Sequence, residues 1–407
     1  MEETDPTVDS KKNDGPISNS ASPSNGDNSL VGEVADMSEI SDRASLEGKN
    51  KSFFSGWKIF IPVLIGLTVV VIMFMHDARK ENLEAVWKSI HFDTRAILCI
   101  ILAFLFMVGR DFGLSWRFRA LTDRNLKWKS AFEIDYLCEF TSCITPSAVG
   151  GSSMGMVYLN TKGIEFGRAT TLMMTTLFLD ELFFVLACPL VILITPAEEL
   201  FSDSGAFAHG IKITFWIVYS IIFVWTLTLF TGIIWKPQWI KKVLDKVTRI
   251  KFLRKWHQNA LNLADNMVAT GKELRTKPFR FWLEVFGGTA LSWTSRYLVV
   301  NALFLGFVVT ADPYQWLIFA REFILWVVLT ASPTPGGAGL SEWLFSEYYG
   351  DLVTTAGMAL ILAIFWRIIS YYAYLIIGSI LIPGWLKNSV KRYKKNSTVK
   401  KSPNENS

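Results

Sequence analysis

The chain has 407 residues, is 51% hydrophobic and 14% aromatic, and has a mean hydropathy of +0.30. At least six of its apolar runs reach the roughly 20 residues that cross a hydrocarbon core of about 30 Å. That excludes an ordinary soluble domain and predicts an all-α polytopic membrane protein. The net charge of +5 is segregated into loops and tails, so it reports topology, and nucleic acid is excluded as a partner.

Residues 1–50 contain no aromatic residue and carry eleven acidic against four basic side chains. Such a segment buries too little apolar surface to offset its ordering entropy, so residues 1–54 are expected to be a disordered acidic cytoplasmic tail. A cleaved signal peptide is not expected there. The transmembrane region is expected over residues 55–385. Its first span is predicted at Ile59–Met75 and its second at about Thr94–Phe118, followed by Arg117, Arg119, Arg124, Lys127 and Lys129, a cytoplasmic signature.

An interrupted apolar segment comes next, about Ala131–Tyr158, broken at Thr145-Pro-Ser-Ala-Val-Gly-Gly151. Proline removes a backbone donor and glycine frees the backbone, so a straight helix does not run through it. Spans follow at about Ala169–Thr195 and Ile211–Trp235, joined by a loop, Pro196–Gly210, without Lys or Arg. Residues 236–280 carry twelve Lys or Arg with Trp239, Val243, Ile250, Leu253 and Trp256 between them, which predicts an amphipathic helix on the cytoplasmic surface. After a span at about Arg280–Val309, a second interrupted segment, about Tyr314–Leu344, breaks at Ser332-Pro-Thr-Pro-Gly-Gly-Ala-Gly-Leu-Ser-Glu342. The last span is about Thr355–Ile382, and residues 386–407 form a basic tail with seven Lys or Arg between Lys387 and Lys401.

If each interrupted segment crossed the membrane once, the strongly basic 236–280 loop would lie outside. If each enters and leaves on one side, the basic loops and both termini fall inside, and the loops without Lys or Arg fall outside. The second arrangement predicts about six spans plus two re-entrant helical hairpins. The halves, about 59–195 and 211–382, then share one element order with opposite direction, an inverted repeat. The hairpins of such a repeat meet near the midplane, where transporters of this architecture hold substrate.

Intramembrane charges are costly and mark function by default. Asp180, Arg296, Glu342 and Arg367 are candidate cavity residues, whereas Arg110, Asp111 and Arg321 serve equally well as internal ion pairs. Consecutive glycines at the two breaks offer backbone donors to a phosphate or carboxylate, or else allow close helix packing. The four cysteines, Cys99, Cys138, Cys143 and Cys188, form no C-x-x-C pair and the four histidines are scattered, so no metal site, cofactor or catalytic constellation is indicated.

The two breaks resemble those of the lysylphosphatidylglycerol synthase transmembrane family, flippase-like integral membrane proteins, over about residues 55–385. Thr145, Pro146, Gly150 and Gly151 match the first motif; Pro335, Gly336, Gly337, Gly339 and Glu342 match the second. The resemblance implies translocation of a lipid between leaflets, and substrate-binding residues at those positions. It does not imply synthase activity, because relatives that make aminoacylated lipid carry a large soluble catalytic domain, and this sequence shows none after the last span. The span Ala169–Thr195 reads Asp180-Glu181-Leu182, where relatives often place Arg after an acidic residue.

The expectation is therefore a multi-pass protein of the cell membrane, or of the inner membrane in a double-membraned bacterium. It would move a phospholipid or lipid-linked intermediate and would not be an enzyme. Its expected partners are membrane lipids, with a second copy of the chain and a cytoplasmic protein at the N-terminal tail as further candidates. A secondary transporter of a small polar solute is the main alternative. A lipid-linked glycosyltransferase is disfavoured by the short outside loops.

Overall fold

The computed structural model describes residues 92–145, 149–201, 206–249, 257–332, 334, 336–337 and 339–401. The acidic tail, the span Ile59–Met75, Pro146 and Pro335 lie outside the described residues. Everything regular within them is helical, as expected of an all-α membrane protein.

Helix α1 (Thr94–Leu121) starts where Asp93 Oδ1 accepts the Ala96 amide at 2.8 Å, capping an otherwise orphaned donor. Its apolar residues Ile97, Leu98, Ile101, Leu105 and Val108 are exposed on one side, a face suited to lipid. Four helical stretches of the described residues are long and apolar enough to cross a bilayer: Thr94–Leu121, Phe166–Ile194, Phe207–Trp235 and Gly357–Trp385. Phe166–Ile194 is α4, in which Thr170, Thr171, Thr175 and Thr176 donate to carbonyls three or four residues back, satisfying their hydroxyls within the helix.

The first interrupted segment is two helices, α2 (Trp128–Ile144) and α3 (Val149–Thr161). At 17 and 13 residues they reach about 25 and 20 Å, short of the hydrocarbon core. They run back to back. A Cβ at Gly151 would meet Ser142 and one at Gly155 would meet Cys138, while Lys162 pairs with Glu133 at 2.6 Å, so the chain reverses at residues 145–148. After α5 (Ala197–Phe201), helix α6 (Ala206–Phe230) ends in a π-turn, Thr231–Trp235.

The single amphipathic helix expected between 236 and 280 is instead a pair, α7 (Gln238–Thr248) and α8 (His257–Thr276). In α7 Trp239, Val243 and Val247 repeat every fourth residue and stand exposed beside Lys242 and Lys246, the pattern of a helix lying in an interface. Helix α8 packs on α4, where Asn266 sits against Gly167 and Arg168 forks onto Glu273 at 2.7 and 2.9 Å.

Helix α9 (Phe279–Phe307) lies along the whole of α1. Gly306 abuts Cys99, Ser295 abuts Gly109, Gly288 abuts Gly113, and Glu284 accepts from Trp116 at 3.0 Å. Numbers rise on one helix as they fall on the other, so the two are antiparallel. Small residues allow the close approach.

The second interrupted segment is α10 (Gln315–Thr330) and α11 (Leu340–Tyr348), again antiparallel: the Tyr349 hydroxyl reaches Ile318 O and Glu322, and Arg321 reaches Tyr348 O. The last span is α12 (Ala356–Arg367), a π-turn (Ile368–Tyr372) and α13, which continues to Lys401, well past the expected end at Ile382.

Candidate functional site

The tips of both hairpins open on one partly open cavity of about 270 Å³. Helix α1 gives it Arg110, Leu114 and Arg117, three positions on one face because they are four and three residues apart. The same logic puts Asp135, Cys138, Glu139 and Ser142 of α2 on one wall, and Thr176, Leu177, Asp180 and Glu181 of α4 on another. Ser292, Trp293 and Arg296 come from α9, Trp326 and Thr330 from α10, and Arg367 from the end of α12. Gly151 and Ser152 line it at the first tip, Gly336, Gly337 and Ser341 at the second.

Most of the charges are tied in pairs. Arg110, 2% exposed, meets Glu139 at 2.5 Å and Asp111 at 2.9 Å, with its guanidinium 4.8 Å from the Tyr374 ring centre. Arg117 Nη1 donates to Asp180 Oδ1 at 2.5 Å and to Thr289 at 3.1 Å, and Trp293 Nε1 donates to the same Asp180 oxygen at 2.9 Å. Arg367 Nε donates to Glu342 at 2.8 Å and Nη2 to Gly336 O at 3.1 Å. Arg296 is the exception. Among the described residues it faces no carboxylate at ion-pair distance; its guanidinium lies 5.5 Å from the Trp293 ring centre, a cation–π contact. Buried oxygens of Asp135 and Glu181 accept from no described donor.

Tyr371 bridges the two tips. The Tyr371 hydroxyl donates to Cys143 O, at the end of α2, at 3.1 Å, while its ring fills the space where a Gly336 Cβ would stand, only 2.2 Å away. Arg367 stacks on the same ring at 3.8 Å.

Of the residues singled out from the sequence, Gly151, Asp180, Arg296, Gly336, Gly337 and Arg367 line this cavity. Glu342 and Gly339 stand behind its wall: Glu342 is fully buried, accepting from the Gly339 amide at 2.8 Å and from Ser341 at 2.9 Å as well as from Arg367. The N-terminus of α11 is thus capped from within. Thr145 ends α2 and bonds its own Thr141 carbonyl at 2.7 Å, and Gly150 lies in the first turn of α3. Arg117, read from the sequence as part of a cytoplasmic basic cluster, is instead buried within α1, because the helix runs three residues beyond Phe118 and Asp180 offers it a partner. Its spacing of seven from Arg110 was the signal that could have placed it. Arg321 is a structural pair: it forks onto Asp351 at 2.5 and 2.7 Å and donates to Glu199 O.

At the other end of the bundle, Asp123, Arg168, Glu273 and Lys277 form a linked ion-pair network. Hydrogen bonding to Asp123 holds the Lys277 ammonium above the ordinary lysine range.

Comparison with known proteins agrees with the family resemblance. A UPF0104 membrane protein of Archaeoglobus fulgidus is 26% identical over 341 residues, covering 79% of this chain and 95% of that one. No solved structure matches significantly. Residues 59–378 match the family described as the lysylphosphatidylglycerol synthase TM region, a span that contains both hairpins and every lining residue of the cavity. The chain belongs to that family of membrane proteins.

Proposed function

We propose that the protein is a flippase-like transporter, not an enzyme, that carries the head group of a phospholipid or lipid-linked intermediate between the leaflets of the cell membrane, with both termini in the cytoplasm. Membership of a family named for the transmembrane part of a lipid synthase supports a lipid-related role. The observation that carries the reading is Arg296: an arginine without a carboxylate at ion-pair distance among the described residues, in a charged cavity between two broken helices, inside an apolar bundle. An unpaired guanidinium there is unstable without an anion, and a lipid phosphate offers it a two-pronged acceptor. The remaining wall suits a zwitterionic or anionic head group, since Arg367 has donor capacity left and the Asp135 and Glu181 oxygens are free to accept.

The cavity volume of about 270 Å³ also fits a small polar solute, the second reading. Reconstitution into liposomes carrying head-group-labelled phospholipids separates the two. Label exposure to an outside quencher should be faster with wild type than with empty liposomes, and slow with Arg296→Gln. No acceleration for any labelled phospholipid would move the assignment to the solute transporter.

A further inference from the structure

Glu322 of α10 is 3% exposed and is absent from the cavity wall. Its carboxyl accepts the Tyr349 hydroxyl at 2.8 Å and, among the described residues, meets no cation at ion-pair distance. The neighbouring Arg321 is committed elsewhere, to Asp351 and to the carbonyls of Glu199 and Tyr348. The titratable and charged groups that face Glu322 are Arg296 and Tyr297 of α9 and Tyr348 and Tyr349 at the end of α11. Cys188 of α4 acts on Tyr297, whose hydroxyl is itself buried and has no partner among the described residues. The Tyr297 ring packs on Phe323 at 4.8 Å between centroids, which fixes residues 296–297 against 322–323.

Two incomplete groups therefore sit on adjoining helices. One is Arg296, which opens on the cavity and, among the described residues, has no carboxylate at ion-pair distance, Glu139 of α2 acting on it from further off. The other is the Glu322 carboxyl on α10, which among the described residues has no cation at ion-pair distance. A carboxylate buried without a counter-charge in a bilayer protein takes up a proton in preference to remaining ionised. When it loses that proton, the cation that acts on it is Arg296, across the α9–α10 contact that Tyr297 and Phe323 make.

We propose that Glu322 is a proton-binding site that competes with the lipid phosphate for Arg296, so that protonation frees Arg296 for substrate and deprotonation draws it away. Substrate capture is then linked to uptake of one proton, and release to its loss. A proton gradient across the membrane would give transport a direction. The inference rests on the lipid reading above for the identity of the anion, but the protonation of Glu322 stands apart from it.

The test uses the full chain in detergent, with short-chain phosphatidylglycerol as the probe and calorimetry over a pH series. Wild-type affinity should fall with rising pH, by at most about tenfold per unit, the limit for one linked proton. Glu322→Gln, a permanently neutral mimic, should bind at the acid-form affinity with no such fall, and Arg296→Gln should not bind. A pH dependence of Glu322→Gln equal to that of wild type overturns the proposal. Infrared difference spectroscopy supplies an independent reading: wild type should show the band of a protonated carboxyl that Glu322→Gln lacks, with or without lipid. Absence of that band overturns the proton site whatever the lipid result. A band without lipid binding at any pH sinks the lipid reading and the coupling together.

Discussion

Arg367 Nε and Glu342 Oε1 lie 2.8 Å apart, with the carboxylate wholly inaccessible and the guanidinium at the cavity edge. Glu342 also holds the Gly339 amide and the Ser341 hydroxyl, so one side chain caps α11, orders the turn before it and aims an arginine. Breaking a buried pair leaves an uncompensated charge, at a cost of about 3–5 kcal/mol. Glu342→Ala should destabilise by that amount, and adding Arg367→Ala should restore part of it. Unfolding in detergent as a double-mutant cycle measures both, and a loss below about 1 kcal/mol, as for a surface pair, contradicts the assignment.

The glycines of the second tip differ in a way that substitution should expose. Gly336 and Gly337 both have positive φ, +57° and +71°, a conformation that costs other residues about 1–2 kcal/mol. At Gly337 a methyl group has room, its nearest neighbour being Ser341 at 3.7 Å; at Gly336 it would enter the Tyr371 ring. Gly337→Ala should lose stability within that range and keep transport. Gly336→Ala should lose more, and transport with it; equal effects in the liposome assay would refute the contact.

Close approach of α1 and α9 rests on Gly113 and Gly288, where an added Cβ would stand 2.6 and 2.8 Å from the opposing carbonyl oxygens. Gly113→Leu should prevent assembly of the bundle, seen as aggregation on size exclusion. Gly287, one residue away, faces open space. Gly287→Ala should be neutral, or stabilising by up to about 1 kcal/mol through helix propensity.

The Lys277–Asp123 pair predicts a pH window. Because the folded state raises the lysine pKa, its contribution is complete below the unfolded value of about 10.4 and is lost as pH climbs through the folded one. The coupling between Lys277 and Asp123, read from a double-mutant cycle of Lys277→Met and Asp123→Asn so that the Arg168–Asp123 pair cancels, should therefore be constant from neutral to mildly alkaline pH and shrink only above that point. Its size should be at most about 1 kcal/mol, since both groups are partly exposed. A contribution that changes near neutrality would point to another group.

Orientation is open to direct labelling, because all four native cysteines are buried. Glu198→Cys, exposed on α5, should react with an impermeant maleimide in intact cells. Lys242→Cys on α7 should react only after permeabilisation. The reverse pattern would invert the topology.

Pro and Gly punctuation made both hairpins legible in the sequence, since residues 145–151 and 332–342 leave a helix no route through. The cavity charges were harder. Asp180, Arg296 and Arg367 stand out in apolar runs, but Glu139 has the look of an interfacial residue until Arg110 appears beside it. Arg117 is followed so closely by other basic residues that charge counting grouped it with a cytoplasmic cluster, and its partner lies 63 residues away, where no local pattern reports it. Glu342 was visible as a charge but not as a cap, because its direction depends on the fold of the turn before it. Residues 236–280 show amphipathic spacing throughout, and the spacing alone gave no sign of the division between α7 and α8.

Tyr371 binds Cys143 O through its hydroxyl and covers Gly336 with its ring. A phenol ring is rigid, so the distance between its two attachments is fixed. Drawing either hairpin tip back from the cavity must break one of them or drag the other tip along. Two pieces of chain almost two hundred residues apart are thereby made a single mechanical part, and the moving unit in any opening is the joined pair of tips together with the helix that carries Tyr371.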